Sequence, residues 1–243
     1  MKMRLDRWLT TLGEGSRSQL QKLIRQGKVQ VDGKVITDPG FSCDTSCATL
    51  TMNGQVIDGR LNRHVMLHKP AGLLTAARDK KQPTIMDLLP EAYGAIGCMP
   101  VGRLDKDTTG LLFLTTDGEL NHRLLSPTRH VDKVYRATVD GPLGEKDVEA
   151  FARGLKLSDF DAQPAKLEIV SSSPEEAVAL VTVQEGKFHQ VKRMFLAVGR
   201  EVTALHRLSF GPLELDPALP EGEWRELTED ELHSLYQAAR MEE

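Results

Sequence analysis

The clearest chemical signal in this chain lies between Val101 and Gly118, in the run Val-Gly-Arg-Leu-Asp-Lys-Asp-Thr-Thr-Gly-Leu-Leu-Phe-Leu-Thr-Thr-Asp-Gly. A cation, Arg103, stands two positions before an acid, Asp105, on a turn led by Gly102; an apolar run, Leu111 to Leu114, and a second turn at Asp117-Gly118 follow. The pattern reads as an exposed loop carrying one charged pair, anchored by a buried strand. Such a loop holds a carboxylate at a fixed position in a cleft, where a nucleophile or a base is needed. Motifs for other chemistries are missing from the sequence: there is no P-loop, no Gly-x-Gly-x-x-Gly, no His-Glu-x-x-His and no Gly-x-Ser-x-Gly.

The elements that must position this loop follow from periodicity. At the N-terminal end, Leu5, Trp8, Leu9 and Leu12 have helical spacing within Met3–Leu12, Gly13 and Gly15 break the helix, and Ser16 can cap a second one over Arg17–Gln26. Val29-Gln-Val31, Asp32-Gly33 and Lys34-Val-Ile36 form a hairpin signature. Residues 54–63 mix Gly with polar residues and read as a linker. Beyond it, strands are expected at His64–His68, Lys133–Asp140, Lys166–Val170, Val178–Val183 and Glu201–Phe210. Helices are expected at Asp117–Leu125, Glu145–Gly154, from the Gly186 turn to Gly199, and from Thr228 onward. Strands outnumber helices without a strict β-α-β rhythm, so an α+β fold on a mixed, mainly antiparallel sheet is expected.

Composition bounds the partners. The chain of 243 residues, with 40% hydrophobic and 27% charged residues, has room for one large and one small domain. No apolar run approaches transmembrane length and the N-terminus lacks an apolar signal core, so a cytoplasmic protein without membrane contact is expected. Cys43, Cys47 and Cys98 make neither an even disulfide set nor a Cys-x-x-Cys pair, and no metal site is expected. The net charge of −4 hides an uneven distribution: residues 1–34 carry eight Lys/Arg against three Asp/Glu, and residues 214–243 two against ten. Binding follows the local field, so the basic head points to nucleic acid despite the acidic total.

The helix–helix–hairpin order, with Ser16-Arg17, Arg25 and Gly27-Lys28-Val29 in place, resembles an S4 RNA-binding domain. The resemblance makes Arg4, Arg7, Arg17, Lys22, Arg25 and Lys28 candidates for phosphate contacts that position RNA without specifying its sequence. The Val101–Gly118 run, together with Lys69-Pro-Ala-Gly72, Lys133-Val-Tyr135 and Glu185-Gly-Lys-Phe-His-Gln-Val-Lys-Arg-Met-Phe195, resembles the RsuA-type RNA pseudouridine synthases over nearly the whole chain. That resemblance implies an S4-like domain in residues 1–60 and a catalytic domain in 61–243. It implies isomerisation of uridine to pseudouridine in ribosomal RNA, with no cofactor.

It also implies the site. Asp105 falls at the catalytic aspartate, as nucleophile or base; Lys192 at its basic partner; Tyr135 at a ring that stacks on the target base. Arg103 falls at the residue that helps fill the gap left by an extruded nucleotide. Lys69 is given no catalytic role, His189 and Gln190 organise their loop, and Asp107 is not expected to share the site. Val-Gly-Arg-Leu-Asp, Glu-Gly-Lys-Phe-His-Gln-Val-Lys-Arg-Met-Phe and the closing Pro-Glu-Gly-Glu-Trp-Arg-Glu-Leu-Thr-Glu are together most similar to the branch acting on small-subunit (16S) rRNA. Large-subunit (23S) rRNA and a non-catalytic role in ribosome assembly are the alternatives. The expected partner is rRNA or a subunit assembly intermediate, met by a monomer.

Overall fold

In the computed structural model, which describes residues 2–241, the chain divides into two compact units. One holds the residues up to Arg63 together with Leu89–Met99, the other His64–Leu88 and the residues from Pro100 onward. No helix among the described residues is long and apolar enough to cross a membrane.

In the first unit the spacing of Leu5, Trp8, Leu9 and Leu12 gives a helix, Leu5–Thr11, and all four side chains are buried. The helix begins later than the sequence predicts because Lys2–Arg4 pairs antiparallel with Ser42–Asp44. Helix Arg17–Arg25 opens with a capping box: the Gln19 amide donates to Ser16 Oγ and the Ser16 amide to Gln19 Oε1. Asp32 and Gly33 both take positive φ, 51° and 74°, as a two-residue hairpin turn requires. Part of the expected linker is a strand. Asn53 and Gly54 make a second such turn, with φ of 53° and 83°, and Gln55–Ile57 folds back on Leu50–Met52. The resulting antiparallel sheet runs Lys34–Ile36, Val29–Val31, Leu50–Met52, Gln55–Ile57. Trp8 Nε1 donates to the Gly59 carbonyl at 2.9 Å, and a Cβ on Gly59 would lie 2.6 Å from the Trp8 ring, so only glycine fits there.

The second unit is built on a sheet in which seven strands run Lys166–Ser172, Glu176–Val183, Lys133–Asp140, Val202–Phe210, Thr109–Thr115, His64–Lys69, Trp224–Glu226. Neighbours are antiparallel except Val202–Phe210 and Thr109–Thr115, which run parallel. That junction is tight. Gly110 sits at φ +105°, and a Cβ there would fall 2.3 Å from the Arg207 carbonyl oxygen. Thr109–Thr115 is buried from Gly110 onward, as a strand covered on both faces must be. One face packs Met66, Leu111, Phe113 and Phe210 against Leu120 and Leu124 of helix Gly118–Leu125 and Leu235 of helix Glu229–Ala238. The latter helix is capped by Thr228 and starts Glu229-Asp230-Glu231, where acids favour the helix dipole. Arg225 binds Glu231 and Asp216, so part of the acidic tail serves the fold.

Candidate active site

The loop that carries Asp105 is fastened on both sides of it. Thr75 Oγ1 donates to the Leu104 carbonyl at 2.8 Å and accepts from the Leu104 amide at 3.2 Å. Beyond Asp105, the fully buried Lys69 donates from Nζ to the carbonyls of Pro70 (2.9 Å), Lys106 (3.3 Å) and Thr108 (2.9 Å). An ammonium has three donors, and here all three go to main chain. Burial pushes the Lys69 pKa down to about 8, against the pull of Asp107 and Asp105. The Lys-Pro-Ala-Gly turn thus supplies an internal staple for the loop.

The second side of the site is the segment Glu185–Lys192. Gln190 is buried; its Oε1 accepts from the Lys187 amide and its Nε2 donates to Glu185 Oε2 at 2.9 Å. Glu185 also accepts from the Gln163 amide at 3.0 Å and pairs with Lys187 at 3.2 Å. Burial works against its ionisation, but these bonds outweigh it and hold the carboxyl below the usual range. This second carboxylate is therefore committed to the loop's shape. His189 takes φ +50°, a left-handed conformation, just before helix Gln190–Ala197, which begins later than the sequence predicts.

Asp105, with 27% of its side chain exposed, meets two groups from that segment: His189 Nε2 lies 3.6 Å from Oδ1 and Lys192 Nζ lies 3.4 Å from Oδ2. One expectation needs correcting. Lys192 makes its shortest contact with Asp107, at 2.6 Å, so Asp107 shares the site. Asp107 is 74% exposed, and the hydrogen bond from Lys192 holds its carboxyl below the usual range.

Arg103, Asp105, Tyr135, Glu185, His189 and Leu205 line one open cleft. Tyr135 is nine-tenths buried in the middle of strand Lys133–Asp140, opposite Arg207 on one side and Val181 on the other. Its strand buries alternate residues, so Lys133 shares its face. Lys133 Nζ donates to the carbonyls of Val131 and Gln184, and burial lowers its pKa to about 8. Lys133 and Arg207 each lie 5.4 Å from the Phe210 ring centroid, and Arg207 Nε donates to the Leu111 carbonyl at 2.8 Å. Arg207 Nη2 is buried without a hydrogen-bond partner. The sequence set Asp107 aside and gave no sign of Thr75 or Arg207, although a strand glycine at 110, a sign of close backbone approach, pointed towards the last.

The six basic residues named in the first unit divide in two. Arg7, Lys22, Arg25 and Lys28 are exposed. Arg4 and Arg17 are bound to the fully buried Asp6, at 3.1 and 3.3 Å, with Gln21 donating to the same carboxylate at 2.9 Å. The Arg4 bond, above all, holds the Asp6 carboxyl far below the usual range despite burial. Among the described residues no group of three or more His, Cys, Asp or Glu is placed to hold a metal ion.

Comparison with known proteins identifies the family. Residues 63–197 match the RNA pseudouridylate synthase family, and residues 3–46 match the S4 domain. The chain is 43% identical over 234 residues to an uncharacterized RNA pseudouridine synthase, YtzG, of Bacillus subtilis, covering 96% of this chain and 98% of that one. It is 40% identical to ribosomal small subunit pseudouridine synthase A of Pseudomonas aeruginosa, covering 96% of this chain and all of the other. A crystal structure of a pseudouridylate synthase, 35% identical, superposes with a TM-score of 0.67 over 96% of this chain and 99% of that one. The chain therefore belongs to the RNA pseudouridylate synthase family and carries an S4 domain near its N-terminus.

Proposed function

We propose that this protein converts one uridine to pseudouridine in small-subunit ribosomal RNA, with Asp105 as the reacting carboxylate. The observation that carries the proposal is the cleft in which Asp105 stands beside Arg103 and Tyr135, with Lys192 and His189 at its two oxygens. Relatives named for the small ribosomal subunit support the choice of RNA.

The reaction breaks the N1–C1′ bond, turns the uracil, and joins C1′ to C5; C5 gives up its proton and N1 gains one. Substrate and product are isomers, so no redox partner or energy carrier is required. Asp105 serves either by attacking C1′ or by removing a proton from the sugar, and both routes need it ionised. Lys192 Nζ and His189 Nε2 stand within 3.4 and 3.6 Å of its two oxygens and fix its orientation. Tyr135 offers its ring to the extruded base, and Arg103 at the rim offers a planar cation to the gap left behind. The exposed Arg7, Lys22, Arg25 and Lys28, with the free N–H groups of Arg4 and Arg17, hold RNA phosphates. The protein works as a monomer in the cytoplasm on rRNA or an assembly intermediate.

Carbodiimide labelling and primer extension on rRNA treated with this protein or with Asp105→Asn tests the reading. The expected result is a new small-subunit stop that vanishes in the variant. A stop confined to large-subunit rRNA would overturn the choice of RNA, and tight binding with no stop on free rRNA or assembly intermediates would favour a non-catalytic RNA-binding protein.

A further inference from the structure

Phe188, between the cleft-lining residues Lys187 and His189, has 71% of its surface exposed, although a phenyl ring in water is unfavourable and carries no polar handle. Its ring is stacked on that of the next residue, His189, with centroids 3.8 Å apart and planes inclined by 17°. His189 in turn lies 3.6 Å from Asp105. A line of flat groups therefore runs from solvent to the candidate catalytic carboxylate.

This geometry is held from outside the pair. His189 adopts the left-handed backbone region, costly for a residue with a side chain, and the surrounding bonds impose it. The Lys187 amide and the buried Gln190 bind each other, Gln190 binds Glu185, and the Phe188 carbonyl accepts from Arg193. Arg193 is itself fixed by Ser158 and Asp159. Lys187, the preceding residue, and Arg193, bound to the Phe188 carbonyl, are held over the ring of Phe160 at 4.1 and 4.9 Å, so two cations lie beside the Phe188 backbone. An open aromatic face among cations suits a partner that is flat, apolar on its faces and attached to negative charge.

We propose that Phe188 is a second stacking platform, which takes an unpaired nucleobase flanking the target uridine while Tyr135 faces the target itself. Stacking accepts any base, so Phe188 contributes affinity and holds the strand open at the cleft, with little readout of base identity. The inference rests on the function proposed above, and its test separates the two. In an Asp105→Asn background, which removes turnover, Phe188→Trp is titrated with a 16S rRNA transcript. The expected result is quenching of the added indole emission, measured against the same protein with Phe188 intact to subtract Trp8 and Trp224.

With Asp105 restored, Phe188→Leu is expected to lower kcat/KM about tenfold, chiefly through KM, and Phe188→Trp to restore it. The thermal unfolding midpoint of Phe188→Leu should match that of the parent, since the ring it removes is exposed. Absence of quenching on bound RNA, or an unchanged KM in Phe188→Leu, would overturn the proposal whatever the enzyme's activity. Quenching together with no pseudouridine formation by the protein with Asp105 and Phe188 intact would uphold Phe188 as a base platform and count against the proposed reaction alone.

Discussion

The two units hold buried charge differently: the first buries a cation, Arg63, but pairs it with the Asp58 carboxylate. In the first, a buried anion, Asp6, gathers two arginines that are more than half exposed, so positive charge is pinned at the surface. In the second, the buried groups are cations. Lys69, Lys133 and Arg207 are all more than nine-tenths buried, and each donates hydrogen bonds to main-chain carbonyls. A carboxylate paired with mobile cations can lose one partner and turn the other to water. An ammonium clasped by three carbonyls has no such freedom, and its charge stays unneutralised beside Asp105 and Asp107. The first arrangement displays cations outward to a polyanion; the second fixes a loop and keeps a positive field beneath its acids.

The largest effect expected from this contrast is that of Lys69→Met. It leaves three carbonyls without their donor, and at about 1–3 kcal/mol for each unsatisfied group the loss is about 3–9 kcal/mol, read by urea denaturation. Loss of pseudouridine formation should accompany it even where the protein is still folded, because the loop bearing Asp105 is released. A cost below about 1 kcal/mol would show that water replaces the ammonium.

Next in size is the electrostatic test of the first unit. Replacing Lys22, Arg25 and Lys28 together by Ala should flatten the slope of log K against log[salt] by about 2–3, since each phosphate contact contributes about 0.7–0.9. An unchanged slope would place the RNA elsewhere. Asp6→Asn should cost about 1–2 kcal/mol at neutral pH, less than Lys69→Met, because both arginines can reach solvent. The folded-state pKa of Asp6 is depressed, so its stabilisation is present above the unfolded value near 4 and lost as pH falls below it. The variant should accordingly show a shallower acid decline.

The alkaline side has the reverse sign. Lys69 and Lys133 have pKa values near 8 in the folded chain against 10.5 ordinarily, so between these limits the unfolded chain binds more protons. Stability should therefore rise from pH 8 towards 10.5, and part of that rise should vanish in Lys69→Met; equal slopes in both proteins would rule out Lys69 as its source. The smallest effect concerns Asp107. Asp107→Asn frees Lys192 for Asp105 alone and should raise kcat/KM by about two- to fivefold at low salt, the scale of an exposed ion pair. A fall would mean that Asp107 holds Lys192 in its working position.

Much of this was legible in local sequence. The Ser16–Gln19 capping box, the Asp32-Gly33 turn and the alternation of Lys133–Asp140 each depend on residues a few positions apart, and each is found where the sequence puts it. The Asn53-Gly54 turn had an equally good signal but was absorbed into an expected linker, because the three-residue strands around it are too short to show a period. Leu89–Met99 gives no local sign that it belongs with the first unit. At the site, the family resemblance pointed to Asp105, Tyr135 and Lys192 and to Lys192 as the partner of Asp105, while the shorter contact of Lys192 with Asp107 did not follow from it. Whether Lys192 prefers Asp105 or Asp107, two residues apart and both acidic, is settled by how a loop and a helix 85 positions away meet. The three acceptors of Lys69 are equally invisible, since carbonyls leave no mark in a sequence.

The parallel junction between Thr109–Thr115 and Val202–Phe210 has a bearing on synthesis as well as on packing. Gly110 meets a strand that emerges from the ribosome about a hundred residues later, and Lys192 and Leu205 likewise come late to the loop made at Asp105. Contacts of such long range form slowly and last. The S4 region, whose helices and hairpins close over short distances, is complete while most of the second unit is still unmade. During translation this chain should thus be able to hold RNA well before it can modify it.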